Sequence, residues 1–317
     1  MNGIASHEAP TEERRRNAWQ EPPRQRRFWS WWDKQAIPYL FVLPFFLLFA
    51  VFGLYPLLYA LNLSFTSLTG NGDQHYVGLS NYTFLLTDNL FWSSLGNSLY
   101  LWLFIVPAQT ILAVLVASLL SSPRLRLRWF FRTVFLTPYV VPLIAVAQVW
   151  LILFDRDYGA VNTVLQWLHL APIGWLTTVS WAKPTLGLLV LWKSSGFAVI
   201  IMLAAIQNIS QEYYEAAALD GAGRLQRFQH ITLPLLRRAI TFFIVISTLG
   251  VIQMFAEPFV LTGGAPNNST ITAGFRLWLL IQNADLGTGA ANSFLLMILV
   301  VVIALVMIRF MTAREER

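Results

Sequence analysis

From Ala36 to Gly72 no side chain carries a charge. A membrane-crossing helix needs about 20 predominantly apolar residues, so residues 37–61 read as a span. The same test finds five more: 95–120, 133–154 between Arg132 and Asp155, 185–207 interrupted by Lys193, 239–261 with Glu257 near its end, and 291–308. Pro38, Pro44 and Pro56 lie in or at the ends of the first span. Prolines are tolerated there because neighbouring groups in a membrane bundle can satisfy the freed carbonyls. Charged residues make up only 12% of the chain, against about 25% in a typical soluble domain. Too little charge remains to coat a soluble globule. The fold class is an all-α integral membrane protein with six transmembrane helices.

The basic residues orient it. With both termini cytoplasmic, only Arg156, Lys183 and Arg276 of the 22 Lys and Arg face outside, and Lys193 alone lies within a span. The rest fall in inside segments, as basic residues do in membrane proteins. Residues 1–36 form a basic cytoplasmic tail, 37–310 the membrane domain with an inside loop at 208–238, and 311–317 a short cytoplasmic tail. The net charge of +6 is thus used in orientation, and no basic face is left for nucleic acid. Trp31, Trp32, Trp92, Trp129, Trp175 and Trp181 lie near span ends, where such rings favour the headgroup level.

Several chemistries are excluded. There is no cysteine, hence no disulfide or thiolate nucleophile. His7, His75, His169 and His230 fall in four different segments, so no metal cluster is visible. No phosphate loop, zinc-protease helix or nucleophile elbow occurs. Catalytic and metal-ligating residues are expected to be none, and the chain lacks the usual means to bind a nucleoside triphosphate. No strongly self-similar halves appear, which weighs against an inverted-repeat carrier.

The inside loop between the fourth and fifth spans is the most informative stretch. Ser210 can cap a short helix, and Glu212 in its first turn suits the helix dipole. Ala216, Ala217 and Ala218 favour helix and leave a surface small enough for close approach. Gly221 and Gly223 end that helix, a second piece runs over 224–231, and Pro234 marks a new start. This is a knob that fits a cleft in a cytoplasmic partner. The competing reading is a helix lying on lipid headgroups. Residues 212–223 carry three acids and no base, which an anionic leaflet would repel.

Glu215-Ala216-Ala217, then Gly221 after three residues, Ile231 after nine and Pro234 beyond it, match the EAA signature of permease subunits of binding-protein-dependent ABC importers. Trp192-Lys193, Gly196-Phe197, Asp220-Gly221-Ala222, Gly159 with Asn162, and Leu261-Thr262-Gly263-Gly264 resemble the carbohydrate-uptake branch. That branch includes the maltose transporter permeases. The resemblance covers roughly residues 37–310. It implies the type I importer permease fold and a multi-pass protein of a prokaryotic inner membrane. It also implies a coupling helix seated in a cytoplasmic ATPase dimer, with Glu212, Tyr214, Glu215, Ala216, Ala217, Asp220, Gly221, Ile231 and Pro234 as its coupling residues. ATP and magnesium would then be bound by the ATPase and not by this chain, which is a transport subunit and no enzyme. The remaining partners implied are a second, different permease, an extracytoplasmic solute-binding protein, membrane lipid and a sugar.

Polar groups at membrane depth are costly and often functional. Lys193 lies eight residues beyond Thr185, about 12 Å from the expected outer end of its span. It can bond a solute, snorkel outward or close a pair. Ser194, Ser195, Gly196 and Phe197 sit beside it. Ser247, Gln253 and Glu257 are candidates on the fifth span, the last two four apart and so on one helical face. Trp150, Phe197 or Phe255 can supply an aromatic platform for a pyranose ring, though packing is the commoner role of such rings. Other classes compete: an autonomous carrier or channel, which leaves the EAA spacing to chance, and an intramembrane enzyme, for which no catalytic constellation is visible. Within the importer class a polyol phosphate is the alternative solute. Lys193 as the only cation inside a span favours a neutral sugar.

Overall fold

The computed structural model describes residues 37–68, 74–122 and 125–312. The basic tail expected over 1–36 lies outside these residues, as does the short C-terminal tail from 313 onward. The described residues fall into two units, one up to Ala60 and one from Leu61 onward. In the first, α1 (Ile37–Phe49) continues through a π-turn (Ala50–Leu54) into α2 (Tyr55–Ser64). Pro56 has no N–H to give, and its ring would press on the carbonyl four residues back. The wider π-turn just before it relieves that conflict. Leu40, Phe41, Val42 and Leu43 follow one another, point in four directions and are all exposed, so apolar surface runs around the whole helix, the pattern of a span in lipid.

The second unit begins with a two-stranded antiparallel hairpin, β1 (Thr66–Leu68) and β2 (Gln74–Tyr76), and a short helix α3 (Ser80–Thr87). Asn81 holds this region together by donating to the carbonyls of Ser64 and Thr66, each at 2.9 Å. The spans follow. They are α4 (Asn89–Ser121), the pair α5 (Arg128–Val140) and α6 (Leu143–Leu153), a short outside helix α7 (Ala160–Trp167), and α8 (Val179–Gln207). The inside loop holds α9 (Gln211–Leu219), α10 (Arg224–Arg227), a π-turn (Phe228–Thr232) and α11 (Leu233–Leu235). Then come α12 (Arg237–Ile252), α13 (Ala256–Thr262), α14 (Ala273–Gln282) and α15 (Leu286–Thr312).

Among the described residues four helices are long and apolar enough to cross a membrane unaided, and the count reaches six when two bent pairs, α5 with α6 and the α10–α11 stretch with α12, are each taken as one span. The expected continuous helix over 133–154 is corrected: α5 and α6 meet at 94°. Val141 is extended, as a residue before proline prefers, and Pro142 opens α6. The expected span over 239–261 is also broken, because α12 ends at Ile252 and α13 starts at Ala256. Gln253 and Glu257 therefore do not share a helical face. The Thr272 hydroxyl donates to the Met254 carbonyl freed at this break.

The most extensive packing is between α4 and α8. Two apolar cores sit along it. One gathers Leu101, Ile105, Leu186 and Leu189 with Val146 and Val251; the other gathers Ala113, Ala117, Met202 and Ile206 with Leu236 and Phe243. Outside loops meet one another at one end. Asn97 donates to the carbonyls of Asn268 (3.1 Å) and Ile271 (2.9 Å) and accepts from Lys183 at 3.0 Å. Asp88 caps α4 through the Leu90 N–H and pairs with Arg276 of α14. Burial pushes the Arg276 guanidinium down, and Asp88 opposes that.

Those two side chains are 22% and 5% exposed, so the pair is largely desolvated. Arg276→Leu leaves the Asp88 carboxylate uncompensated and is expected to cost about 3–5 kcal/mol. The readout is the thermal midpoint of the purified protein in detergent. Adding Asp88→Asn should recover part of the loss, whereas an unchanged midpoint in the single variant would mean the pair carries no stability.

Candidate functional site

The inside loop between α8 and α12 is built by local rules. Ser210 Oγ accepts from the Glu212 N–H and caps α9. The other end closes in a Schellman arrangement: the Ala222 N–H donates to Ala217 (2.9 Å) and the Gly221 N–H to Ala218 (3.2 Å). Gly221 has φ +80°, the left-handed conformation this closure requires. The Gly223 N–H, at the entry to α10, donates to Gln226 Oε1 at 2.7 Å. Pro234 lies just after a π-turn, as Pro56 does, so here too the ladder widens ahead of a missing donor.

This construction sorts the faces of α9. Tyr214 turns inward, its hydroxyl 2.9 Å from Thr232 Oγ1, and Ala217 is half-buried. Glu212, Glu215, Ala216 and Leu219 are exposed and spaced at three and four residues, hence one stripe. Leu219 is 90% exposed. It was not among the expected residues, although its spacing from Glu212 and Ala216 places it on their face. Ala217, Asp220, Gly221 and Ile231 line a groove of about 330 Å³ between α9 and the π-turn.

At membrane depth the structure gives the expected residues different partners. Among the described residues Lys193 closes no salt bridge, and it is held within the bundle. Its ammonium donates to the carbonyls of Tyr139 and Val141, both at 3.1 Å, at the break of the third span. These are carbonyls that a broken helix leaves without intrahelical donors. Because α8 starts at Val179 and not near Thr185, Lys193 lies about 21 Å along it. Phe197 stacks on Tyr139 with centroids 5.3 Å apart. A Cβ on Gly196 would lie 2.1 Å from the Phe135 carbonyl oxygen. Lys193, Gly196 and Phe197 thus form one face of α8 that seats the bent span.

Ser194 and Ser247 belong to a second arrangement. Gln109, 3% exposed on α4, donates to Ser194 Oγ (2.9 Å) and accepts from Ser247 Oγ (3.1 Å). Trp102 Nε1 donates to Thr248 Oγ1 at 2.8 Å on the same helix. This polar seam joins α4, α8 and α12 between the two apolar cores. Gln109 escaped the sequence reading, although an amide within a charge-free span was the available signal. Ser195 is buried and donates to the Leu191 carbonyl.

Glu257 sits in the first turn of α13. Gln253 is exposed at the break. Phe255 is packed among Phe259, Phe275 and Trp278. Trp150 has one ring face on Phe154 at 4.8 Å and tilts against Trp192, and the aromatic run continues through Trp175 to Trp181. Nearby, Asn162 is fully buried and fixes the outside loop through the Ile173 backbone and Trp175 Nε1. The Asp155 carboxyl is held below its ordinary value by the N–H groups of Asp157 and Tyr158.

Residues 109–317 match the model of the binding-protein-dependent transport system inner membrane component family. The chain is 35% identical to the lactose transport system permease protein of Rhizobium radiobacter, covering 88% of this chain and 94% of that one. It is 31% identical to the sulfoquinovosyl glycerol transport system permease protein of Agrobacterium fabrum, covering 91% and 95%. Among solved structures, a chain of a bacterial alginate ABC transporter, in complex with alginate pentasaccharide-bound periplasmic protein, aligns with TM-score 0.78 and 24% identity over 91% of this chain and 98% of that one.

Proposed function

The chain belongs to the family of inner membrane components of binding-protein-dependent transport systems, and from that premise we propose that it forms half of the translocation pathway of an ATP-driven sugar importer. The observation that carries the reading is the α9 knob. Its anchored face is satisfied by Thr232, while its outer face holds Glu212, Glu215, Ala216 and Leu219 out to the cytoplasm. Such a stripe suits a cleft in a separate ATPase, which binds the ATP and magnesium that this chain has no phosphate loop to hold. A second, different permease completes the pathway, and an extracytoplasmic binding protein delivers the solute.

The relatives named above handle a neutral disaccharide and a sulfonated glycoside, so they do not choose the solute's charge. Lys193 bears on that choice. Two of its three N–H donors are spent on backbone carbonyls, so one donor is left and no fork is offered to a phosphate or sulfonate, which supports a neutral sugar. Candidates for solute contact are then Glu257, Gln253 and Trp150, since Ser194, Gly196 and Ser247 are engaged in helix packing.

The test is purification from native membranes in mild detergent with every accompanying chain identified, followed by reconstitution. An ATPase and a second six-span permease are expected, with sugar uptake that requires ATP and the binding protein. A chain recovered only with itself, and carrying solute without ATP, would instead make it an autonomous carrier.

A further inference from the structure

Orientation accounts for the inside arginines as a group, but four of them share a more specific placement. The cytoplasmic ends of α4 and α8, the first turns of α5 and the coupling loop enclose a cavity of about 840 Å³. That volume is in the range of small-molecule sites. Arg128 and Arg132 line it from α5, and Arg224 and Arg227 from α10. The other polar lining is hydroxyl and amide, including Ser118, Ser121, Gln207 and Asn208, and among the described residues no carboxylate contributes. The Nε of Arg132 is buried without a hydrogen-bond partner among those residues.

Guanidinium groups around one cavity repel one another, and an anion placed among them adds an attraction to each that offsets this repulsion. Guanidinium forks match the oxygens of a phosphate in paired hydrogen bonds. Beside the arginines, Trp129 is 70% exposed, and Leu127 and Phe130 are also exposed. Aromatic and apolar groups of this kind sit where a span enters the headgroup layer. Basic pockets between spans on the cytoplasmic side are suited to anionic headgroups.

We propose that this cavity binds a phosphate-bearing anion, with the headgroup of an anionic inner-leaflet lipid as the expected source. Binding would tie the third span to the coupling loop, because each supplies two of the arginines. The proposal concerns the cavity itself and stands whatever solute the chain carries.

The test uses the chain purified with the subunits that accompany it and placed in nanodiscs of phosphatidylcholine, with or without phosphatidylglycerol. Native mass spectrometry should show selective retention of phosphatidylglycerol. Arg132→Gln and Arg224→Gln should each reduce that retention roughly tenfold, the scale of one lost charge-assisted contact, and Arg132→Lys should recover part of it. Inorganic phosphate, titrated in phosphatidylcholine alone, separates the sources. Weak binding of phosphate with strong lipid retention assigns the headgroup. Tight phosphate binding lost in the same variants, without lipid retention, assigns a soluble phosphate compound. If the wild-type complex retains neither selectively, or the Gln variants retain both as the wild type does, the proposal is overturned. The wild-type comparison decides even if a variant fails to assemble.

Discussion

Replacing Gly196 by valine is expected to leave almost no assembled protein in the membrane, and even Gly196→Ala should be severely destabilised. The reason is a backbone contact. At this position α8 passes so close to α5 that a Cβ would sit 2.1 Å from the Phe135 carbonyl oxygen, 2.8 Å from its carbon and 3.0 Å from the Leu136 Cα. A flexible side chain can move aside; a helix backbone can only retreat as a whole. Overpacking of a core typically costs about 1–3 kcal/mol and occasionally more, and a clash with backbone belongs at the upper end. Retreat of α5 would also lengthen both bonds from Lys193 to the Tyr139 and Val141 carbonyls and unstack Phe197 from Tyr139. Three contacts on one face are therefore lost together. A loss near 3 kcal/mol is a large fraction of a domain's stability. The measurement is the amount and thermal midpoint of the monodisperse complex after extraction, with Ile200→Ala, on an exposed position of the same helix, as the mild comparison. An alanine variant with the wild-type midpoint would show that the two helices have room to part.

Much of the fold could be read from the chain because its spans are signalled by one-dimensional properties. A charge-free run of sufficient length predicts a span whatever its neighbours do, and the distribution of Lys and Arg orients it. The coupling helix was equally legible, since Ser210 and Gly221 act through contacts within a few residues of themselves. The bends were not. Residues 133–154 stay apolar on both sides of Val141, so hydropathy passes straight across a 94° corner, and only Pro138 and Pro142 hinted at it. The break after Ile252 lies further from sight. It is stabilised from elsewhere in the chain, by the Thr272 hydroxyl on Met254 and by Gly274 lying close against the Gln253 carbonyl. A helical-face argument pairing Gln253 with Glu257 fails for that reason. Lys193, Gly196 and Phe197 were singled out as candidates along a solute pathway, but the partners the structure gives them are at the bent third span, more than fifty residues away, and spacing within α8 cannot name them.

Gly221→Val is expected to abolish most solute uptake while leaving the membrane bundle folded. Nothing lies within 4 Å of the position a Cβ would take, so the penalty is conformational and not steric crowding from neighbours. At φ +80° a β-branched residue is strained by about 1–2 kcal/mol or more. The strain is relieved by opening the Schellman closure, which frees the Ala217 and Ala218 carbonyls and lets the last turn of α9 unwind. Leu219 is in that turn and is the most exposed large apolar side chain of the loop. Its position relative to Glu215 is what a rigid cleft would read. Unwinding therefore destroys the knob without touching a single residue of the spans. Gly221→Asn, which tolerates the left-handed region, should be much milder. Glu215→Ala removes a charge from the exposed stripe and keeps the helix, so it should weaken ATPase docking with no change in the fold. The paired readouts are solute uptake and ATP hydrolysis by the reconstituted complex. Hydrolysis that continues while uptake falls by an order of magnitude, or an ATPase that no longer co-purifies, is the expected result. Undiminished, ATP-driven uptake in both Gly221→Val and Glu215→Ala would sink the assignment of α9 as the coupling helix. The sixfold membrane architecture would survive that outcome, because its signals lie in other residues.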